Sequence, residues 1–202
     1  YAAGDAITSG DYNIGMGEYA LSSVNTGGSN IGIGRLAGSN NTSANSNMYI
    51  GYAAGYANQT GTSNTIVGNY SLSQTAGVVN FSNVTTLGWE AGYYATGSTN
   101  TFIGSEAGKG NSSAPYSSGY NNTALGYQAL TSFTTTTNNV AIGHQAGYSS
   151  DSNGSNVFIG YAAGYEADSA TTSAINNVYI GSSAGQFLDD GESNVAIGYG
   201  AM

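Results

Sequence analysis

The sequence has no cysteine, one proline, one histidine and only two basic residues, Arg35 and Lys109. Without cysteine there is neither a disulfide staple nor a thiolate metal site. Eleven acidic residues against two basic ones give a formal net charge of -9. A chain so poor in lysine and arginine lacks the basic stripe that neutralises phosphates, so no nucleic-acid partner is expected. Anionic membrane surfaces are disfavoured for the same reason. No apolar run approaches the roughly 20 residues of a membrane span, and no membrane insertion is expected. Residues 1–4, Tyr-Ala-Ala-Gly, lack the basic start and apolar middle of a secretory leader. Catalytic triads and metal centres need convergent His, Cys, Asp or Glu. With His144 as the sole histidine, the chain is expected to be no enzyme and to carry no metal or cofactor.

What is present is glycine (32 residues) and tyrosine (17), amid Asn, Ser, Thr and Ala, with charged residues at only 6%. Disordered chains combine high charge with few aromatic and β-branched residues. This composition is the reverse, and it fits stacked strands that satisfy their own backbone while small polar side chains face water.

A glycine preceded by an apolar residue recurs at Gly17, Gly34, Gly51, Gly68, Gly88, Gly104, Gly126, Gly143, Gly160, Gly181 and Gly198. Most intervals are 17 residues, as from Gly17 to Gly34 to Gly51. A fixed period of this size marks a solenoid whose rungs each make one turn. The expected fold is therefore all-β, a parallel β-solenoid or β-roll with coils of about 17 residues, forming one continuous array over 1–202. Tyr1 to Gly4 match Tyr52 to Gly55 and Tyr161 to Gly164, so the array opens inside a rung and is expected to be a fragment of a longer chain. At ~4.8 Å per rung, twelve rungs would make a rod of about 57 Å.

Each position of the unit has a physical reading. Immediately before the marker glycine stand Met16, Ile33, Ile50, Val67, Leu87, Ile103, Leu125, Ile142, Ile159, Ile180 and Ile197. Two residues earlier stand mostly β-branched side chains, from Ile14 and Ile31 to Val178 and Val195. Strand side chains alternate with period two, so these two columns share a face, expected to be the core. The residue between them, including Tyr49, Phe102, Phe158 and Tyr179, is then directed outward, where a trimer axis would bury it. Three residues after the marker comes only Ala or Ser, a sign of close backbone approach.

Asparagine stands four residues before the marker at Asn13, Asn30, Asn47, Asn64, Asn100, Asn122, Asn139, Asn156, Asn177 and Asn194, with Val84 the exception. Stacked amides bond to those above and below, and asparagine tolerates the left-handed conformation of turns. A structural asparagine ladder is expected. Just after the marker, Tyr52, Trp89, Tyr127, His144, Tyr161 and Tyr199 form a column of exposed rings. Such rings either stack across rungs or bind the apolar faces of sugars, and they are the candidate surface-binding residues. The longer intervals place candidate loops at 75–82, 110–121 and 167–176. Residues 151–155 (Asp-Ser-Asn-Gly-Ser) and 189–192 (Asp-Asp-Gly-Glu) look oxygen-rich but lack the spacing of a twelve-residue calcium loop. Asx turns are expected there. Ice binding would need a threonine ladder across rungs, whereas the evident threonine run, Thr134 to Thr137, lies along the chain.

The segments Asn139-Val-Ala-Ile-Gly143 and Asn194-Val-Ala-Ile-Gly198 resemble the head repeats of trimeric autotransporter adhesins. Asn122-Thr-Ala-Leu-Gly-Tyr-Gln-Ala-Leu130 is similar to the repeat arrays of phage tail fibres. These resemblances imply a homotrimer, intertwined or side by side, that forms a structural and adhesive fibre segment. They place it outside the cell, on a virion or a bacterial surface, with a cell-surface glycan or receptor as partner. The longer unit and the Tyr-Gln-Ala-Leu variant favour a phage tail fibre; the alternative is a bacterial surface adhesin or self-assembling filament.

Overall fold

A computed structural model describes residues 3–74, 79–112, 116–150, 154–166, 174–187 and 191–202. Eleven three-residue strands stack in one parallel sheet: β1 (Ile14–Met16), β2 (Ile31–Ile33), β3 (Met48–Ile50), β4 (Thr65–Val67), β5 (Thr85–Leu87), β6 (Thr101–Ile103), β7 (Thr123–Leu125), β8 (Val140–Ile142), β9 (Val157–Ile159), β11 (Val178–Ile180) and β13 (Val195–Ile197). A second, two-stranded sheet pairs β10 (Ala174–Ile175) with β12 (Gly191–Glu192) on the return side. The register repeats without slippage, Ile33 opposite Ile50 and Ile50 opposite Val67, through to Ile180 opposite Ile197. The fold is a parallel β-solenoid. Each rung pairs with the next, so the backbone ladder is satisfied between rungs rather than within one.

The strands are short because each is bracketed by two residues with positive φ. Ahead of the asparagine stands a left-handed residue, such as Ser29 (φ 60°) or Asn138 (φ 59°). Behind the strand stands the marker glycine, with φ between 123° (Gly17) and 145° (Gly88). That region is nearly closed to residues with a Cβ, and space closes it again. A Cβ on Gly34 would fall 2.5 Å from the carbonyl oxygen of Gly51 in the next rung.

After the marker the chain turns sharply. The marker carbonyl accepts from the amide three residues on, as Ala37 N donates to Gly34 O (3.2 Å). Two residues past the marker the backbone is left-handed even where the residue is not glycine, from Ala162 (φ 50°) to Leu36 (φ 62°). Such a conformation costs about 1–2 kcal/mol per residue. It is held by cross-rung bonds, Leu36 N to Glu18 O and Gln145 N to Tyr127 O, each 2.9 Å.

The core lies on the opposite face of the strands from the one expected. The middle residue of each strand points inward: Tyr49, Ile66, Thr86, Phe102, Ala124, Ala141, Phe158 and Tyr179 are fully buried. The column Ile33, Ile50, Val67, Leu87, Ile103, Leu125, Ile142, Ile159, Ile180 and Ile197 faces outward, half-buried for the most part and 50%, 43% and 67% exposed at Leu87, Leu125 and Ile197. Period-two alternation separates two faces but does not say which is inside. The more uniformly aliphatic face is the outer one. The rings at 49, 102, 158 and 179 therefore belong to the chain's own core.

A size rule explains why the inner column tolerates everything from glycine to tyrosine. The residue four past the marker packs against the middle strand residue of its own rung and of the next. Rungs with a ring there are flanked by two glycines: Gly38 and Gly55 around Tyr49, Gly92 and Gly108 around Phe102, Gly147 and Gly164 around Phe158. Where the middle residues are small the same position holds leucine: Leu21 with Gly15 and Gly32, Leu130 with Ala124 and Ala141. A Cβ on Gly32 would lie 2.7 Å from Leu21 Cγ. Volume is conserved in each layer while its donor changes, as close packing requires.

Candidate functional site

The asparagines are stapled to one another through the stack. Asn30 Nδ2 donates to Asn13 Oδ1 (3.1 Å), Asn47 Nδ2 to Asn30 Oδ1 (3.1 Å) and Asn64 Nδ2 to Asn47 Oδ1 (2.9 Å). The same oxygens accept the next rung's backbone amide, as Asn156 N donates to Asn139 Oδ1 (2.9 Å) and Asn194 N to Asn177 Oδ1 (2.9 Å). The amide nitrogens also reach carbonyls of the return segment, Asn47 to Gly61 O (3.0 Å) and Asn122 to Thr136 O (2.9 Å). At Val84 only the backbone half persists, Val84 N donating to Asn64 Oδ1 (2.9 Å). Asn30, Asn47, Asn64, Asn100, Asn122, Asn139, Asn156 and Asn177 are buried. With both ends bonded internally, these amides hold the turn.

Of the post-marker rings, Tyr127, His144 and Tyr161 stand next to one another, while Asn69, Ser105 and Ser182 interrupt the column elsewhere. Tyr127 and His144 lie 5.3 Å apart, and His144 stacks on Tyr161 at 5.2 Å. Trp89, Tyr127, Tyr161 and Tyr199 are exposed, while Tyr52 is half-buried. Both basic residues of the chain end on rings of this column: the Arg35 guanidinium lies 5.5 Å from the centre of Tyr52, and Lys109 Nζ 5.7 Å from that of Trp89. Arg35 also pairs with Glu18 (2.8 Å) and donates to Tyr52 Oη (3.0 Å). Lys109 pairs with Glu90 (2.6 Å) and Glu106 (3.1 Å).

The left-handed column beside the rings carries a polar ladder that spacing alone did not disclose. Gln145 Nε2 donates to Gln128 Oε1 (2.8 Å), and Gln128 Nε2 to Glu106 Oε2 (2.6 Å). The Gln128 bond, with Lys109 beside it, holds the Glu106 carboxyl below its ordinary value against a smaller effect of burial.

On the outer sheet face the two columns flanking the buried one are apolar at every rung except for Thr65, Thr85, Thr101 and Thr123. These four stand in register, so a cross-rung threonine ladder does exist, contrary to expectation. Its companions are Val67, Leu87, Ile103 and Leu125. No charged residue interrupts either column. Ten spacings of ~4.8 Å make the face about 48 Å long.

No protein-family model, curated protein or solved structure matches the chain. Among the described residues no group of three or more His, Asp or Glu could hold a metal ion, and no helix is long and apolar enough to cross a membrane. The acidic stretches 151–155 and 189–192 lie partly outside the described residues, as do the candidate loops at 75–82, 110–121 and 167–176.

Proposed function

We propose that this chain is a shaft segment of an extracellular attachment fibre, of the phage tail-fibre kind, assembled as a parallel homotrimer. The observation that carries the proposal is the outer sheet face, two unbroken uncharged columns about 48 Å long on a chain with few charges anywhere. Contiguous apolar patches beyond a few hundred Å² mark interaction surfaces on soluble proteins. A flat face repeated on identical rungs is matched in length and register by the same face of another copy. Three such faces close around an axis and take that sheet face out of water.

The turn side stays free in that assembly, and Trp89, Tyr127, His144, Tyr161 and Tyr199 stand there for contact with a cell-surface glycan or receptor. The absence of a basic stripe and the rigid rung stack support a spacer that holds its tip away from the particle.

Sedimentation equilibrium of the purified chain tests the assembly. A trimer is expected, and Ile142→Glu with Ile159→Glu should give monomers whose far-UV circular dichroism is unchanged. A wild-type monomer at tens of micromolar overturns the proposal. Immunogold electron microscopy, with label on fibres of a virion, tests the owner; label on cell-anchored filaments would assign the chain to a bacterial surface instead.

A further inference from the structure

A cleft of about 200 Å³ opens on the turn side across four neighbouring rungs, from Leu36 to Tyr93. Its walls are Tyr52, Tyr56, Tyr70 and Tyr93. It exists because two short side chains fall in columns that carry larger ones. Ala53 occupies the left-handed position held by Leu36 and Tyr70 in the adjacent rungs, and Ser73 lies between Tyr56 and Tyr93. Two gaps side by side leave a hollow rimmed by rings.

The rings stand across one another. Tyr52 and Tyr70 lie 4.9 Å apart at 81°, and Tyr70 and Tyr93 lie 6.4 Å apart at 65°. A sugar stacks on one or two open, parallel ring faces, which steeply crossed rings do not offer. Rings set edge-to-face bound the hollow from more than one direction, and a ring face left open toward it attracts a cation of low hydration. The volume is below the 300–1,000 Å³ of ordinary ligand pockets and suits a single headgroup. The surface already attracts cations: the chain's own two, Arg35 and Lys109, both rest on rings. Their charges are met by Glu18 on one side and by Glu90 with Glu106 on the other, which leaves the Lys109 cluster with one excess negative charge, and Glu90 acts electrostatically on Tyr70 and Tyr93 of the cleft.

We infer that this cleft is an aromatic cage for a quaternary ammonium headgroup of the choline type. Binding draws on the Tyr70 and Tyr93 rings and on the acidic surroundings, beside a Tyr52 ring that already carries Arg35, and it does not depend on assembly of the outer face.

Isothermal titration of the 202-residue chain at matched ionic strength tests this with three probes: choline chloride, its neutral isostere 3,3-dimethylbutan-1-ol, and N-acetylglucosamine. Choline is expected to bind in the millimolar range, at least tenfold more tightly than the isostere, with no saturable binding of the sugar. Ala53→Leu, which installs the side chain that position 36 carries at the same backbone conformation, should fill the hollow and weaken choline at least tenfold without altering the melting temperature. Tyr93→Leu provides the same readout should the first variant fold poorly. Absent choline binding, equal affinity for the isostere, preference for the sugar, or choline binding untouched in correctly folded variants would each overturn the inference.

Discussion

Gly147 and Phe158 are complementary in size across adjacent rungs: a Cβ at position 147 would stand 2.5 Å from Cδ2 of the ring. The same relation joins Gly38 to Tyr49 and Gly92 to Phe102, while Leu130 takes the glycine's place beside Ala141. Phe158→Ala should therefore destabilise the rod by about 3–5 kcal/mol through the cavity it leaves. Adding Gly147→Leu recreates a layer like that of Leu130 and Ala141, and urea denaturation should show recovery of at least a third of the loss. Gly147→Leu alone should be worse than the double variant.

The marker glycines separate crowding from backbone conformation. Gly181 and Gly198 have nearly equal φ, 130° and 127°, but a Cβ on Gly181 would lie 2.5 Å from Gly198 O, whereas Gly198 has nothing within 4 Å. In the 202-residue chain, Gly181→Ala should lower the thermal midpoint several-fold more than Gly198→Ala, whose cost is conformational, about 1–3 kcal/mol. Equal shifts for the two would refute close approach as the reason for the column.

In the asparagine ladder, removing one amide takes the acceptor from the next rung's buried backbone donor. Asn47→Ala deprives Asn64 of the acceptor for both its backbone and side-chain donors and removes donors to Asn30 Oδ1 and Gly61 O. Asn64 Nδ2 keeps Phe81 O, Asn30 Oδ1 keeps Asn47 N and Gly61 O keeps Asn58 Nδ2, so the Asn64 backbone amide is the group left without its acceptor. An unsatisfied buried group costs about 1–3 kcal/mol, the loss expected by chemical denaturation. Asn13→Ala, at a half-buried rung, should cost less than half of that.

Glu106 gives a pH signature. Its carboxyl is lowered in the folded state, first by the Gln128 bond and then by Lys109. A lowered carboxyl contributes stability that is complete above its unfolded value, near 4.5, and is lost as pH falls through the folded one. The group is partly solvated and screened, so the effect is small. Thermal melts from pH 6 to pH 3 should fall less steeply for Glu106→Gln than for wild type, and parallel curves would show that the pairing contributes nothing.

The rung period and the strand positions are legible in the sequence because backbone pairing between rungs forces identical residues into columns. The direction of the strand faces is not. Apolar character favoured Ile33, Ile50 and Ile142 as core over a middle column that mixes Gly32, Tyr49, Thr86 and Ala141, yet the mixed column is the buried one. The decisive signal was present and lay elsewhere: each ring in the middle column is accompanied by glycines four past the marker, and the leucines there, Leu21, Leu72 and Leu130, have no ring beside them. That matching of sizes records which side chains share a layer, and the greasiness of a column does not. The cleft around Ala53 was hidden for another reason. Its rings come from three columns that only the turn geometry brings together.

Matched layers limit how such an array can be cut and rejoined. Excising residues 148–164 would set Gly147 beside Tyr179, whose own rung supplies Gly185, and the shortened chain should fold into a rod one step shorter. Excising residues 131–147, a segment of the same length, would drive Leu130 into the ring of Phe158. Lengthening or trimming by whole periods is thus permitted only at particular seams, and those seams are where recombination within this array can leave a working product.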